Sequence, residues 1–86
     1  MNRKNKFIEI IRHYGLPHQL KKLNEEVYEL YEAIWEDDLE HIHEEFADVC
    51  VLLQEIRLYC GLDFKKIEKI MFQKVDRQLE RISHQR

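Results

Sequence analysis

Two short acidic motifs carry the chemistry that this chain offers. Residues 25–30 read Glu25-Glu26-Val27-Tyr28-Glu29-Leu30, and residues 44–49 read Glu44-Glu45-Phe46-Ala47-Asp48-Val49. Each holds a carboxylate pair three residues apart, Glu26 with Glu29 and Glu45 with Asp48, beside an apolar seam. Desolvating a carboxylate is costly unless it is paired or holds a metal. Four of them converging between two helices point to a divalent cation. All four are hard oxygen donors, which suit Mg²⁺ or Mn²⁺ rather than zinc. Mg²⁺ keeps waters and completes its shell with substrate phosphates. A surplus of carboxylates can hold more than one ion, which fits phosphoryl-transfer chemistry. The alternative is a solvated acidic face, which glutamate-rich helices commonly present.

Helices must position these side chains. With two glycines, one proline and 44% apolar residues, the composition suits helices and shows few alternating β-branched runs. The spacing predicts four, in one small antiparallel all-α bundle spanning residues 1–86. Helix one covers about residues 5–14, with Phe7, Ile8, Ile11 and Tyr14 on its apolar side, and Gly15 ends it. Helix two begins with Pro17 in its first turn and runs to about Glu36, its seam being Leu20, Leu23, Val27, Leu30 and Ile34. Asp37, with Glu40 three residues on, is the expected cap of helix three. That helix runs to Tyr59 or Cys60 with a seam of Leu39, Ile42, Phe46, Val49, Leu53 and Ile56, and Gly61 ends it. Asp63 is placed to cap helix four, whose seam is Phe64, Ile67, Met71, Val75, Gln78 or Leu79, and Ile82. The polar tail after Ser83 is expected to fray. Around Val49–Tyr59 the apolar residues of helix three spread beyond one stripe, through Val51, Leu52, Leu58 and Tyr59. A helix apolar most of the way round is buried on several sides, so this broad surface is expected to form a subunit interface.

On a wheel of about 100° per residue, Glu26 falls about 80° and Glu29 about 140° from the centre of their seam, on one side. Glu45 lies about 70° and Asp48 about 130° from the centre of theirs, again on one side. A short loop makes helices two and three antiparallel neighbours, so both pairs can edge one groove. His18 and Gln19 open helix two near one end of that groove, where they can meet a base or sugar or simply close the helix end. On helix four, Lys74, Arg77 and Arg81 form a cationic row that can hold nucleotide phosphates or pair with surface carboxylates. Tyr28, Tyr31 and Trp35 can stack on a base or serve as core or interface. Glu40-x-x-His43 matches half of a di-iron motif, but no second Glu-x-x-His exists, which argues against a di-iron bundle.

The net charge of −3, with acidic and basic residues interleaved, gives no tract for nucleic acid. Cys50 and Cys60 are about 15 Å apart along one helix and cannot bridge each other. They are expected as reduced, buried thiols of a cytoplasmic protein. The polar, basic stretch Met1–Lys6 is not followed by a long apolar run, so neither a secretory leader nor a membrane span is expected.

Read together, the acidic motifs resemble the signature of the MazG-like all-α nucleoside triphosphate pyrophosphatase superfamily: Glu-Glu-x-x-Glu, a spacer, then Glu-x-x-Asp. Here it stands as Glu25-Glu26-Val27-Tyr28-Glu29 and Glu45-Phe46-Ala47-Asp48. Gln19-Leu20-Lys21-Lys22-Leu23 before it and Lys74-Val75-Asp76-Arg77 in the last helix also look like the family, and the resemblance covers about residues 16–82. It implies that Glu26, Glu29, Glu45 and Asp48 bind Mg²⁺, with Mn²⁺ as a substitute. It implies that Glu25 assists as a further ligand or by orienting the attacking water, and that Lys74 and Arg77 hold phosphate. With Gln19 these form the expected substrate-binding set. The implied reaction cleaves the α–β phosphoanhydride of a nucleotide, giving a monophosphate and pyrophosphate, in a protein that assembles as a dimer or tetramer. The segment before helix two lacks the Trp-Asp element of many full-length MazG proteins, so base and sugar are left open. Two rival readings are a non-catalytic helical interaction module and a divergent member that binds nucleotide without turnover.

Overall fold

A computed structural model of the protein describes residues 2–85, with four helices and no strand among them. They are α1 (Arg3–Tyr14), α2 (Leu16–Glu36), α3 (Leu39–Tyr59) and α4 (Phe64–Gln85). Met1 and Arg86 lie outside the described residues.

The boundaries follow from local chemistry. Asn2 caps α1, its side-chain oxygen accepting from the Asn5 amide at 2.9 Å, so this helix starts two residues earlier than the spacing predicts. Gly15, at φ 89°, closes α1 by donating its amide to the Ile11 carbonyl and at once opens α2. A side chain would be strained at that φ. Asp37 is not the cap of α3. It adopts the left-handed conformation at φ 57° and ends α2, and Asp38 caps α3 by accepting from the His41 amide at 3.3 Å. The expected capping box fails because a two-residue link uses one aspartate for each helix end. Asp63 accepts from the Lys65 amide at 2.9 Å at the start of α4. Of the tail expected to fray, His84 and Gln85 are helical, since α4 continues to Gln85, and Arg86 lies outside the described residues.

α2 and α3 form the central antiparallel pair, and α1 lies chiefly against α3 through the fully buried Ile11. The packed faces coincide only in part with the apolar seams, whose Leu23, Leu30, Ile42, Val49 and Ile56 are half-buried. α2 buries Gln19, Glu26 and Ala33, each seven residues from the last, and α3 buries Glu45, Leu52 and Glu55. Leu20, Val27 and Ile34 on α2 and Phe46 and Leu53 on α3 are each about half exposed. The amphipathic helices therefore meet within one chain along a mixed edge, part seam and part polar, and leave much of their apolar surface outside.

α4 makes only marginal contact with the other helices and buries no residue. At its root the Arg57 guanidinium sits over the Phe64 ring, 5.6 Å from the centroid. The chain is correspondingly elongated. Its radius of gyration is 16.0 Å, against about 12 Å for a compact chain of this length. Both Cys50 and Cys60 are exposed, contrary to the expected burial, because the helix faces that carry them are uncovered in one chain. No helix among the described residues is long and apolar enough to cross a membrane.

Candidate functional site

The two acidic motifs meet where α2 and α3 run side by side. Glu26, Glu29 and Glu45 each offer a carboxylate oxygen to one cluster, these atoms all lying within 4.8 Å of one another. Glu26 is 6% and Glu45 9% exposed, while Glu29 stays open to solvent. Both buried members keep an orphan: Oε2 of Glu26 and Oε2 of Glu45 have no hydrogen-bond partner. A buried polar atom left unsatisfied is costly, and two on converging carboxylates are more so. A divalent cation accepts such oxygens directly, so the donor set fits Mg²⁺ or Mn²⁺.

The electrostatics agree. Burial pushes the Glu45 carboxyl above its ordinary value of 4.5, and hydrogen bonding and repulsion from Glu26 and Glu29 push it further the same way. Without a cation, burial and that repulsion favour the protonated form of Glu45. Lys22 offsets part of the charge from the rim, its ammonium 3.3 Å from Glu26, and that contact raises the lysine pKa. His41 lies on the other side, with Nδ1 3.2 Å from Glu36 and Nε2 3.3 Å from Glu45. Its pKa is raised, chiefly by the hydrogen bond to Glu36.

An open pocket of about 680 Å³ extends from this cluster along the α2–α3 groove to the end of α1. Glu25, Glu26, Asp48 and Lys22 line one part, and Tyr14, His18, Gln19 and Glu55 line another. Of the residues expected from the sequence, Glu26, Glu29 and Glu45 form the close cluster. Asp48 lines the same pocket on the exposed side, outside the three-carboxylate contact, and Glu25 and Gln19 also line it. Lys74 and Arg77 do not, because α4 stands apart from the groove. Tyr28, Tyr31 and Trp35 form a separate exposed aromatic depression.

Sequence reasoning gave no role to Lys22, His41, Glu55 or Tyr14. Lys22 and His41 each stand four residues before a buried glutamate of the cluster, a spacing that puts them on its face. Glu55 stands seven residues after Asp48, on nearly the same face of α3. Nothing in the spacing signals Tyr14, which reaches the pocket only because α1 folds back.

The raised Glu45 pKa fixes the sign of a pH effect. In the metal-free protein its contribution is present below pH 4.5 and lost as pH rises through the higher folded value. Glu45→Gln removes that penalty. The metal-free variant should therefore melt increasingly above the parent as pH rises to neutrality, the two converging at low pH in thermal scans with chelator. A variant melting below the parent at neutral pH would contradict the electrostatic picture.

Comparison with known proteins places this geometry in a family. The model of the MazG nucleotide pyrophosphohydrolase domain matches residues 17–81, which hold both acidic motifs and most of α4. No curated protein and no solved structure matches the chain. By that family match over most of its length, and with the carboxylates of both motifs converging on one groove, this chain belongs to the MazG nucleotide pyrophosphohydrolase domain family.

Proposed function

We propose that the protein is a divalent-metal-dependent hydrolase that cleaves the α–β phosphoanhydride of a nucleoside or deoxynucleoside triphosphate, giving a monophosphate and pyrophosphate. The observation that carries this reading is the pair of orphaned buried oxygens on Glu26 and Glu45 within a three-carboxylate cluster, whose Glu26 also lines a nucleotide-sized pocket. Glu26, Glu29, Glu45 and Asp48 would hold the Mg²⁺, with Mn²⁺ as substitute. The bound cation supplies charge neutralisation at the phosphates and an acidified water as nucleophile.

The remaining roles belong to the chain. Glu25, at the pocket wall, orients the attacking water or adds a ligand. Lys22 draws phosphate oxygens toward the carboxylate end and limits the repulsion between two anionic partners. Gln19 contacts the nucleoside. Lys74 and Arg77 lie outside the pocket of their own chain, so their phosphate-holding role requires α4 of a second copy.

Self-association is the second part of the proposal. A 22-residue helix that buries nothing is marginal in water, and α4 exposes Phe64, Met71, Val75, Leu79 and Ile82 along one stripe. The uncovered seams of α2 and α3 match it in character, including the broad apolar surface of α3. A dimer or tetramer of this chain covers all three. The site of action is the reducing cytoplasm, where exposed thiols such as Cys50 and Cys60 persist. The partners are a nucleotide and further copies of the chain, with no nucleic acid and no membrane.

Pyrophosphate release from a panel of NTPs and dNTPs tests the chemistry. Release should require Mg²⁺ or Mn²⁺ and should fall by about two orders of magnitude or more in Glu26→Gln. Release that ignores metal, or survives in the variant, would contradict the assignment. Bound nucleotide without release would mark a member that no longer turns substrate over.

Sedimentation tests the assembly. At micromolar concentration the mass should be two or four times 10.7 kDa, and Met71→Asp with Val75→Asp should shift it toward 10.7 kDa. A parent protein sedimenting at 10.7 kDa would contradict it.

A further inference from the structure

Glu55 is the most deeply buried carboxylate of the chain, 2% exposed, and the metal chemistry does not use it. It faces Gln19 across the groove. Gln19 Nε2 donates to Glu55 Oε1 at 2.7 Å, which fixes which way round the amide lies. Gln19 Oε1 then accepts from His18 Nδ1 at 2.7 Å, so His18 carries its proton on Nδ1. His18 in turn stacks on Tyr14, with ring centroids 4.9 Å apart and planes 16° from parallel. Tyr14, His18, Gln19 and Glu55 all line the pocket. The second oxygen of Glu55 makes no hydrogen bond among the described residues and, unlike Oε2 of Glu26 and of Glu45, is not fully sealed from solvent.

The register of the helices sets the scale. Gln19 lies seven residues before Glu26 on α2, and Glu55 lies seven after Asp48 on α3. Each interval is about 10 Å of helix rise. One end of the pocket thus holds carboxylates fit for a metal and phosphates. The other holds an aromatic pair and a fixed, buried acceptor, at a distance comparable to that from a nucleotide's phosphates to its base edge.

We infer that Glu55, braced by Gln19, selects nucleotides whose base carries an exocyclic amino group. This rests on the nucleotide reading above and names its substrate class. One N–H and the carbonyl oxygen of Gln19 are engaged, and the acceptor the pair offers the pocket is the second oxygen of Glu55. An amino group of cytosine, adenine or guanine donates to it. In uracil, thymine and hypoxanthine a carbonyl replaces the amino group, and its oxygen would meet a carboxylate of like polarity. A buried acceptor left facing a carbonyl is penalised more than a solvated one. The Tyr14–His18 stack supplies the flat surface on which the base rests.

The test compares binding of CMP with UMP and of AMP with IMP, by calorimetry in Mg²⁺, beside pyrophosphate release from the corresponding triphosphates. Each pair exchanges an amino group for a carbonyl. The parent protein should favour CMP and AMP by about tenfold or more. Glu55→Gln offers a donor as well as an acceptor, and should bring each pair to within about twofold. Its stabilisation by Mg²⁺ alone should match the parent, which checks that it folds. Equal affinities in the parent, or a preference that survives Glu55→Gln, would overturn the inference, as would binding of no nucleotide. If the pairs bind equally while pyrophosphate is released, base selection fails and the enzyme stands. If the amino preference holds without release, selection stands and catalysis fails. The comparison of parent pairs needs no variant, so the inference stays testable if Glu55→Gln does not fold.

Discussion

The structure depends on one constraint: within a single chain, α2 and α3 bury polar side chains at their contact, beside only part of each apolar seam. Gln19, Glu26, Glu45 and Glu55 occupy positions that a self-sufficient bundle would fill with leucine. Placing carboxylates there is unfavourable, and the arrangement persists only if something else compensates. Two compensations are visible in the geometry. The orphaned oxygens of Glu26 and Glu45 fit a cation, and the uncovered apolar seams and α4 fit a second copy. Under the proposed reading, the metal site and self-association would both follow from this packing.

The same packing explains what the sequence could and could not reveal. The helices were legible because Gly15, Pro17, Gly61 and the 3.6-residue period punctuate the chain. The cap of α3 was misplaced by one residue, since Asp37 and Asp38 are equally good by type and only the backbone conformation separates them. The wheel correctly put Glu26 and Glu45 at the edge of their seams. It did not reveal that this edge is buried together with only part of the seam in one chain. Cys50 and Cys60, expected as buried thiols, lie on faces that one chain leaves uncovered.

Within the site, residues of the two motifs were legible because their spacing repeats on adjacent helices. Glu55 was not, since one glutamate seven residues beyond a motif has no signature of its own. Its importance comes from the partner across the groove, and Gln19 reaches it only through the antiparallel register that also brings Glu29 to Glu45. Lys74 and Arg77 show the converse. Their spacing is regular, yet α4 keeps them away from the groove in one chain. The pocket has a polarity along its length, with negative charge at the motif end and aromatic surface with a fixed acceptor at the other. That gradient matches an extended ligand carrying phosphates at one end and a heterocycle at the other.

The central claim, that the buried edge exists to hold a cation, is tested most directly by titrating the nucleotide-free protein with Mn²⁺ and following free Mn²⁺ by electron paramagnetic resonance. The account predicts saturable binding in the parent, weakened as pH falls because protons compete for the Glu45 carboxylate. It also predicts loss of that binding in Glu26→Gln and Glu45→Gln. Binding of equal strength in the parent and both variants, or no saturable binding at all, would contradict it.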